Sequence, residues 1–97
     1  MYARVAAFQF QPEKLEQAAQ IANESIVPAL RQQQGLKSLL TLLDSSTGKA
    51  MLISLFETEA DAKAGVTSGF IQQQSEKLAS LFTGAPITEF YEVAAQE

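Results

Sequence analysis

The sequence contains no cysteine, no histidine and no tryptophan. Without cysteine there can be no disulfide and no thiol nucleophile. Without histidine as well, zinc-finger ligand sets and Ser-His-Asp triads are excluded. The only aspartates are Asp44 and Asp61, too few for a clustered all-oxygen cation site, so no metal is expected. Haem would have to be held by Tyr2, Tyr91, Met1 or Met51, all less usual ligands than histidine or cysteine. The expectation is a protein with no cofactor.

Positive charge is also scarce, with seven Lys and Arg against eleven Asp and Glu and a net charge of −4. Arg4, Lys14, Arg31, Lys37, Lys49, Lys63 and Lys77 stand singly along the chain. No patch exists to neutralise phosphates, which argues against nucleic acid and anionic membranes as partners. No apolar run approaches the ~18 residues of a membrane span. The opening "MYARVAAFQF" lacks the apolar core of a secretion signal. Together with the missing cysteine, this leads to an expected cytoplasmic location. Ninety-seven residues suit one domain, 1–97.

What is present is a regular alternation of strand and helix patterns. Residues 2–10 alternate and carry Val and Phe, as a strand does. Pro12 sits where a first helical residue is tolerated. Leu15, Ala18, Ala19, Ala22, Ile26, Ala29 and Leu30 then fill one helical stripe roughly 120° wide. Pro28 cannot donate to the carbonyl of Glu24, which predicts a kink or break, and Gly35 is expected to cap the helix end. Leu36–Asp44 and Lys49–Glu57 read as a hairpin around "SSTG". "TEAD", Thr58 to Asp61, reads as a capping box for a second helix, weakened at "TSG", Thr67 to Gly69. A final helical run carries Phe70, Ile71, Leu78, Leu81 and Phe82 on one side, and Ile87–Ala94 closes the chain as a strand. The order βαββαβ with short connections predicts an α+β, ferredoxin-like fold: a four-stranded antiparallel sheet with both helices on one face.

Helices on one side leave the other face of the sheet bare. In the third strand Met51, Ile53 and Leu55 point one way, and Ala50, Leu52, Ser54 and Phe56 the other. In the first strand Ala3, Val5 and Ala7 oppose Arg4, Ala6, Phe8 and Phe10. A solvated face should alternate with polar residues, and neither face does so. Leaving the apolar side chains in water would forfeit roughly 1.5–3 kcal/mol each. A second copy, sheet against sheet, is the simplest cover. Val5, Ala7, Met51, Ile53 and Leu55 are therefore expected in a homodimer interface.

The element order, with "VPALRQQQGLKSLLTLLDSSTGKAMLISLFETEADA" at its centre, resembles the antibiotic biosynthesis monooxygenase family of dimeric α+β barrels. The resemblance spans nearly the whole chain and is strongest from Val27 through Ala62. It implies a homodimeric α+β barrel and an oxidoreductase activity among the possibilities, since the family includes cofactor-free oxygenases of polycyclic phenols, haem-degrading enzymes and proteins of no known role. The haem-degrading members use an asparagine, a tryptophan and a histidine that fall here on Ala6, Phe56 and Gln74. None matches, so haem degradation is not expected. The oxygenases of aromatic polyketides also commonly rely on a tryptophan, which this chain lacks.

The resemblance puts Arg4, Ala6, Phe8, Ser54, Phe56, Phe70 and Gln74 on the helix side of the sheet, around a pocket for a small apolar or aromatic ligand. Arg4 could orient an anionic or enolate oxygen, with Ser54 or Gln74 donating a hydrogen bond. The competing expectation pairs Arg4 with Glu89 or Glu92 on the adjacent strand. Gln74 either bonds backbone at the helix break near Ser68 or points into the pocket. Glu57, Glu59 and Asp61 look like a catalytic cluster, but their spacing is that of a helix start. Tyr2 and Tyr91 are expected at the sheet rim. Three functions fit these residues: a cofactor-independent monooxygenase or isomerase acting on a small apolar cyclic molecule, a non-catalytic homodimeric binding module, or a structural dimer whose phenylalanines fill the core.

Overall fold

The computed structural model describes residues 1–96. Strands β1 (Tyr2–Gln9), β2 (Leu36–Asp44), β3 (Lys49–Phe56) and β4 (Ile87–Glu92) form one antiparallel sheet in the order β2-β3-β1-β4. This is the predicted ferredoxin-like sheet. The first crossover runs through a 3-10 turn (Pro12–Lys14), helix α1 (Leu15–Ile21), a π-helical segment (Ala22–Ile26) and helix α2 (Val27–Leu30). The second runs through α3 (Glu59–Thr67), α4 (Phe70–Glu76) and a 3-10 turn (Ala79–Leu81). Both crossovers pack on one face, over a core of Phe10, Leu15, Ala18, Ile26, Leu30, Ala50 and Leu78. No helix is long and apolar enough to cross a membrane among the described residues.

The kink or break expected at Pro28 takes the form of a break in the α-helical ladder. The helix widens just before it, where the Val27 N–H bonds the carbonyl of Ala22, five residues back. Proline has no N–H to offer the carbonyl of Glu24, so an α-helical ladder could not have run through this position unbroken. The helix also stops at Leu30, earlier than the predicted end at Gly35. Gly35, with φ of 77°, instead begins the entry to β2. The second helical stretch divides at Gly69, whose φ is 81°, and α4 ends at Glu76, so Leu78, Leu81 and Phe82 lie beyond it. The last strand ends at Glu92, two residues short of the expected Ala94.

Gly48 closes the β2–β3 turn with φ of 78°, and its carbonyl accepts the N–H of Phe10 at 2.9 Å. A Cβ there would lie 2.0 Å from the Phe10 carbonyl oxygen. Gly48→Ala therefore meets both a left-handed backbone and a backbone clash. It is expected to cost more than about 2 kcal/mol, read as a lower urea midpoint with an unchanged slope.

The face away from the helices is mostly apolar on all four strands, interrupted by Ser38 on β2 and Glu89 on β4. Register places Leu40 beside Ile53 and Leu42 beside Met51, Ile53 beside Val5, and Met51 beside Ala7. Ile87 and Tyr91 of β4 lie beside Ala7 and Ala3. Leu40 is 52% exposed, Leu42 45% and Ile87 60%. The patch thus extends onto both edge strands, beyond the five residues singled out from the sequence.

Candidate functional site

A cavity of about 80 Å³ lies between the helix-side face of the sheet and the first crossover. Ala6, Phe8, Ala50, Leu52 and Ser54 contribute from the sheet, and Ala18, Ala19, Ala22, Ile26 and Leu30 from the helices. Its wall is almost wholly apolar. Space exists here because five alanines stand where larger side chains would meet: two on central strands and three on one helical stripe. The π-helical segment, bounded by Ala22 and Ile26, forms part of the same wall. The mouth opens past Thr41 and Leu43, both exposed on β2. The cavity reaches Gln74, so the phenylalanines do not fill the space between sheet and helices.

One end of this apolar space is charged. Arg4 is only 2% exposed, yet among the described residues its guanidinium meets no carboxylate. Nη1 donates to Gln33 Oε1 at 3.0 Å and to the carbonyl of Ala62 at 3.3 Å. The guanidinium carbon lies 4.9 Å from the centroid of the Phe56 ring. Nη2 has no hydrogen-bond partner, and neither has the hydroxyl of Ser54, which is 1% exposed and sits directly opposite Arg4 in the β1–β3 register. Burial lowers the Arg4 pKa to about 10, so the side chain stays cationic at neutral pH.

The expected pairing of Arg4 with Glu89 or Glu92 does not form. Glu89 lies opposite Val5, so the period of two sends its side chain to the other face. Glu92 lies opposite Tyr2 at the exposed end of the sheet. Gln33 takes the place of an acidic partner, held in turn by its Nε2 bond to the Leu30 carbonyl at 3.0 Å. Nothing in the run "QQQ" at 32–34 marks this glutamine, because its role depends on where the chain turns after α2. Gly65 of α3 is the second residue that sequence reading missed. A Cβ there would come within 3.1 Å of Arg4 Nη1 and 3.0 Å of Gln33 Oε1, so the glycine admits both groups.

The other sequence candidates divide. Arg4, Ala6, Phe8, Ser54 and Gln74 come together in the wall, whereas Phe56 and Phe70 do not line it. Phe56 is fully buried beneath Arg4, and Phe70 packs against the core while Ile71 takes the wall position. Gln74 is half-buried and uses its Oε1 to accept from Lys77 Nζ at 2.8 Å, rather than bonding backbone near Ser68. The acidic trio is structural: Thr58 caps α3 by accepting the Asp61 N–H at 3.1 Å, Glu59 pairs with Lys63 at 3.0 Å, and Glu57 pairs with Lys37 at 3.3 Å. The lysine and the bonds it makes hold the Glu59 carboxyl below its ordinary range, with Tyr2 adding to the effect.

No family model matches this sequence, and no curated protein matches it. Solved structures do match in fold. The monooxygenase from the gene ActVA-Orf6 of Streptomyces coelicolor, solved in complex with nanaomycin D, is 16% identical with a TM-score of 0.80, covering 99% of this chain and 89% of that one. A protein of unknown function from Nitrosomonas europaea is 18% identical with a TM-score of 0.79, over 99% and 91%. A third structure, of an antibiotic biosynthesis monooxygenase, is 12% identical with a TM-score of 0.77, over 98% and 100%. Sheet order, both crossovers and these full-length superpositions agree: the chain has the fold of the antibiotic biosynthesis monooxygenases.

Proposed function

We propose that this protein is a homodimer whose helix-side cavity takes one small, largely apolar cyclic molecule and oxygenates it without a cofactor. The observation that carries the reading is the cavity itself, almost wholly apolar along its walls, with two unpartnered buried polar atoms on Arg4 and Ser54. Such a lining holds a ring by burial and orients it by few contacts. At about 80 Å³ it is smaller than the ~150 Å³ engineered cavity that accepts benzene. One ring therefore fits only with part of the molecule standing in the mouth at Thr41 and Leu43.

The chemistry this site supports lies mostly in the substrate. A CH₂ group beside a phenol or ketone loses a proton to give an enolate, and the enolate passes one electron to dioxygen. The resulting radical and superoxide join in a C–O bond. The hydroperoxide then takes a proton and loses water to leave C=O. Both hydrogens of the CH₂ and one oxygen atom leave as water, and the other oxygen stays on carbon. Arg4 favours this course because a buried cation stabilises the oxyanion relative to its neutral parent.

The test is oxygen uptake with one- and two-ring phenols and ketones that carry an acidic CH₂. Uptake above the spontaneous rate, lost in Ala22→Leu, which fills the cavity, is the expected result. A second reading, a binding module without catalysis, is favoured by one observation: Arg4 is the sole titratable side chain in the wall, so the protein offers no base of its own. Ligand-induced thermal stabilisation with no oxygen uptake anywhere in the panel would decide for that reading.

A further inference from the structure

We infer that Arg4 Nη2 and the Ser54 hydroxyl receive one anionic oxygen between them, so the ligand is bound as a phenolate or enolate in preference to a neutral ring. This rests on the proposal that the cavity takes a small cyclic molecule, and it names the chemical class. Two buried polar atoms on facing residues lack partners, and both residues belong to the cavity wall. Leaving such donors unsatisfied is costly, and the coincidence of two at one end of an apolar space is what a missing acceptor would produce.

Charge and geometry narrow the acceptor. The groups facing Arg4 are Ser54 and Phe56 from β3, Phe90 from β4, Ala62 and Gly65 from α3, and Gln33 after α2. None is acidic, so the cation is uncompensated and a monoanion neutralises it. Nη1 is already committed to Gln33 and Ala62, and Nη2 and the Ser54 hydroxyl are the buried donors left without an acceptor.

4-Nitrophenol, which ionises near neutral pH and changes colour as it does, reads this out directly. Bound to the protein, its ionisation midpoint should fall by about 1–3 pH units, the usual effect of a close opposite charge. Its anion should bind at least about tenfold more tightly than nitrobenzene, the neutral ring of similar shape. Arg4→Met should return the midpoint to the free value or above it, and Ser54→Ala, a conservative change, should remove part of the shift. An unmoved midpoint or equal affinity for nitrobenzene would each overturn the inference. Nitrobenzene binding that Ala22→Leu abolishes would leave the cavity proposal standing while this one fell. If no ring binds at all, both fall.

Discussion

Ile53→Asp leaves no dimer: sedimentation of the variant should show a monomer or an unfolded chain. Ile53 sits at the middle of the open sheet face, with Val5 beside it on β1 and Leu40 on β2. In the proposed sheet-to-sheet dimer a carboxylate there is desolvated with no cation nearby. The effective penalty is several kcal/mol per buried ion, a loss of more than about a thousandfold in association. Because Ile53 is itself partly buried within one subunit, unfolding could mask the effect. Leu40→Asp separates the two. Leu40 is 52% exposed in the isolated subunit, so an aspartate costs the monomer little and the dimer much. A folded Leu40→Asp variant that sediments as a dimer would show that this face is not the interface.

Arg4→Met should remove anion binding while leaving stability nearly unchanged. The wild-type protein holds a charged guanidinium in an apolar interior without a counter-ion. Replacing buried charged groups with packed apolar side chains is often stabilising by 1–4 kcal/mol. The substitution also gives up two hydrogen bonds and the contact with the Phe56 ring, each of the order of 1 kcal/mol. Gln33, only partly buried, recovers some of this from water. The expected net change lies within about 2 kcal/mol of zero, measured as a denaturant midpoint that moves little in the absence of ligand. A markedly less stable variant would instead assign Arg4 a structural role, as a strut between β1 and α3.

Most of the fold was legible in the residues. Period-two runs at β1 and β3, the stripe from Leu15 to Leu30, the turn at "SSTG" and the cap at Thr58 all depend on neighbours close in sequence, so local pattern suffices. The same pattern showed that both faces of the central strands are apolar. Errors fell where distant segments decide. Pro28 marks an interruption of the helix in the sequence, but whether the helix bends or widens there depends on what packs against it. Arg4 was paired with a neighbouring strand's carboxylate because adjacency is visible in sequence, whereas strand register, which sends Glu89 to the opposite face, was not applied to β4.

The sequence by itself determined the order of elements, the one-sided helix packing, the excess of apolar surface and the lack of any histidine or thiol chemistry. These follow from composition and from periods of two and 3.6 residues. Only the tertiary structure decided that five alanines from separate elements leave a shared space, and that Gln33 and Gly65 make room for an unneutralised Arg4 beside Ser54. Cavities and unpaired charges are sums over residues far apart in the chain, and no local rule carries such a sum.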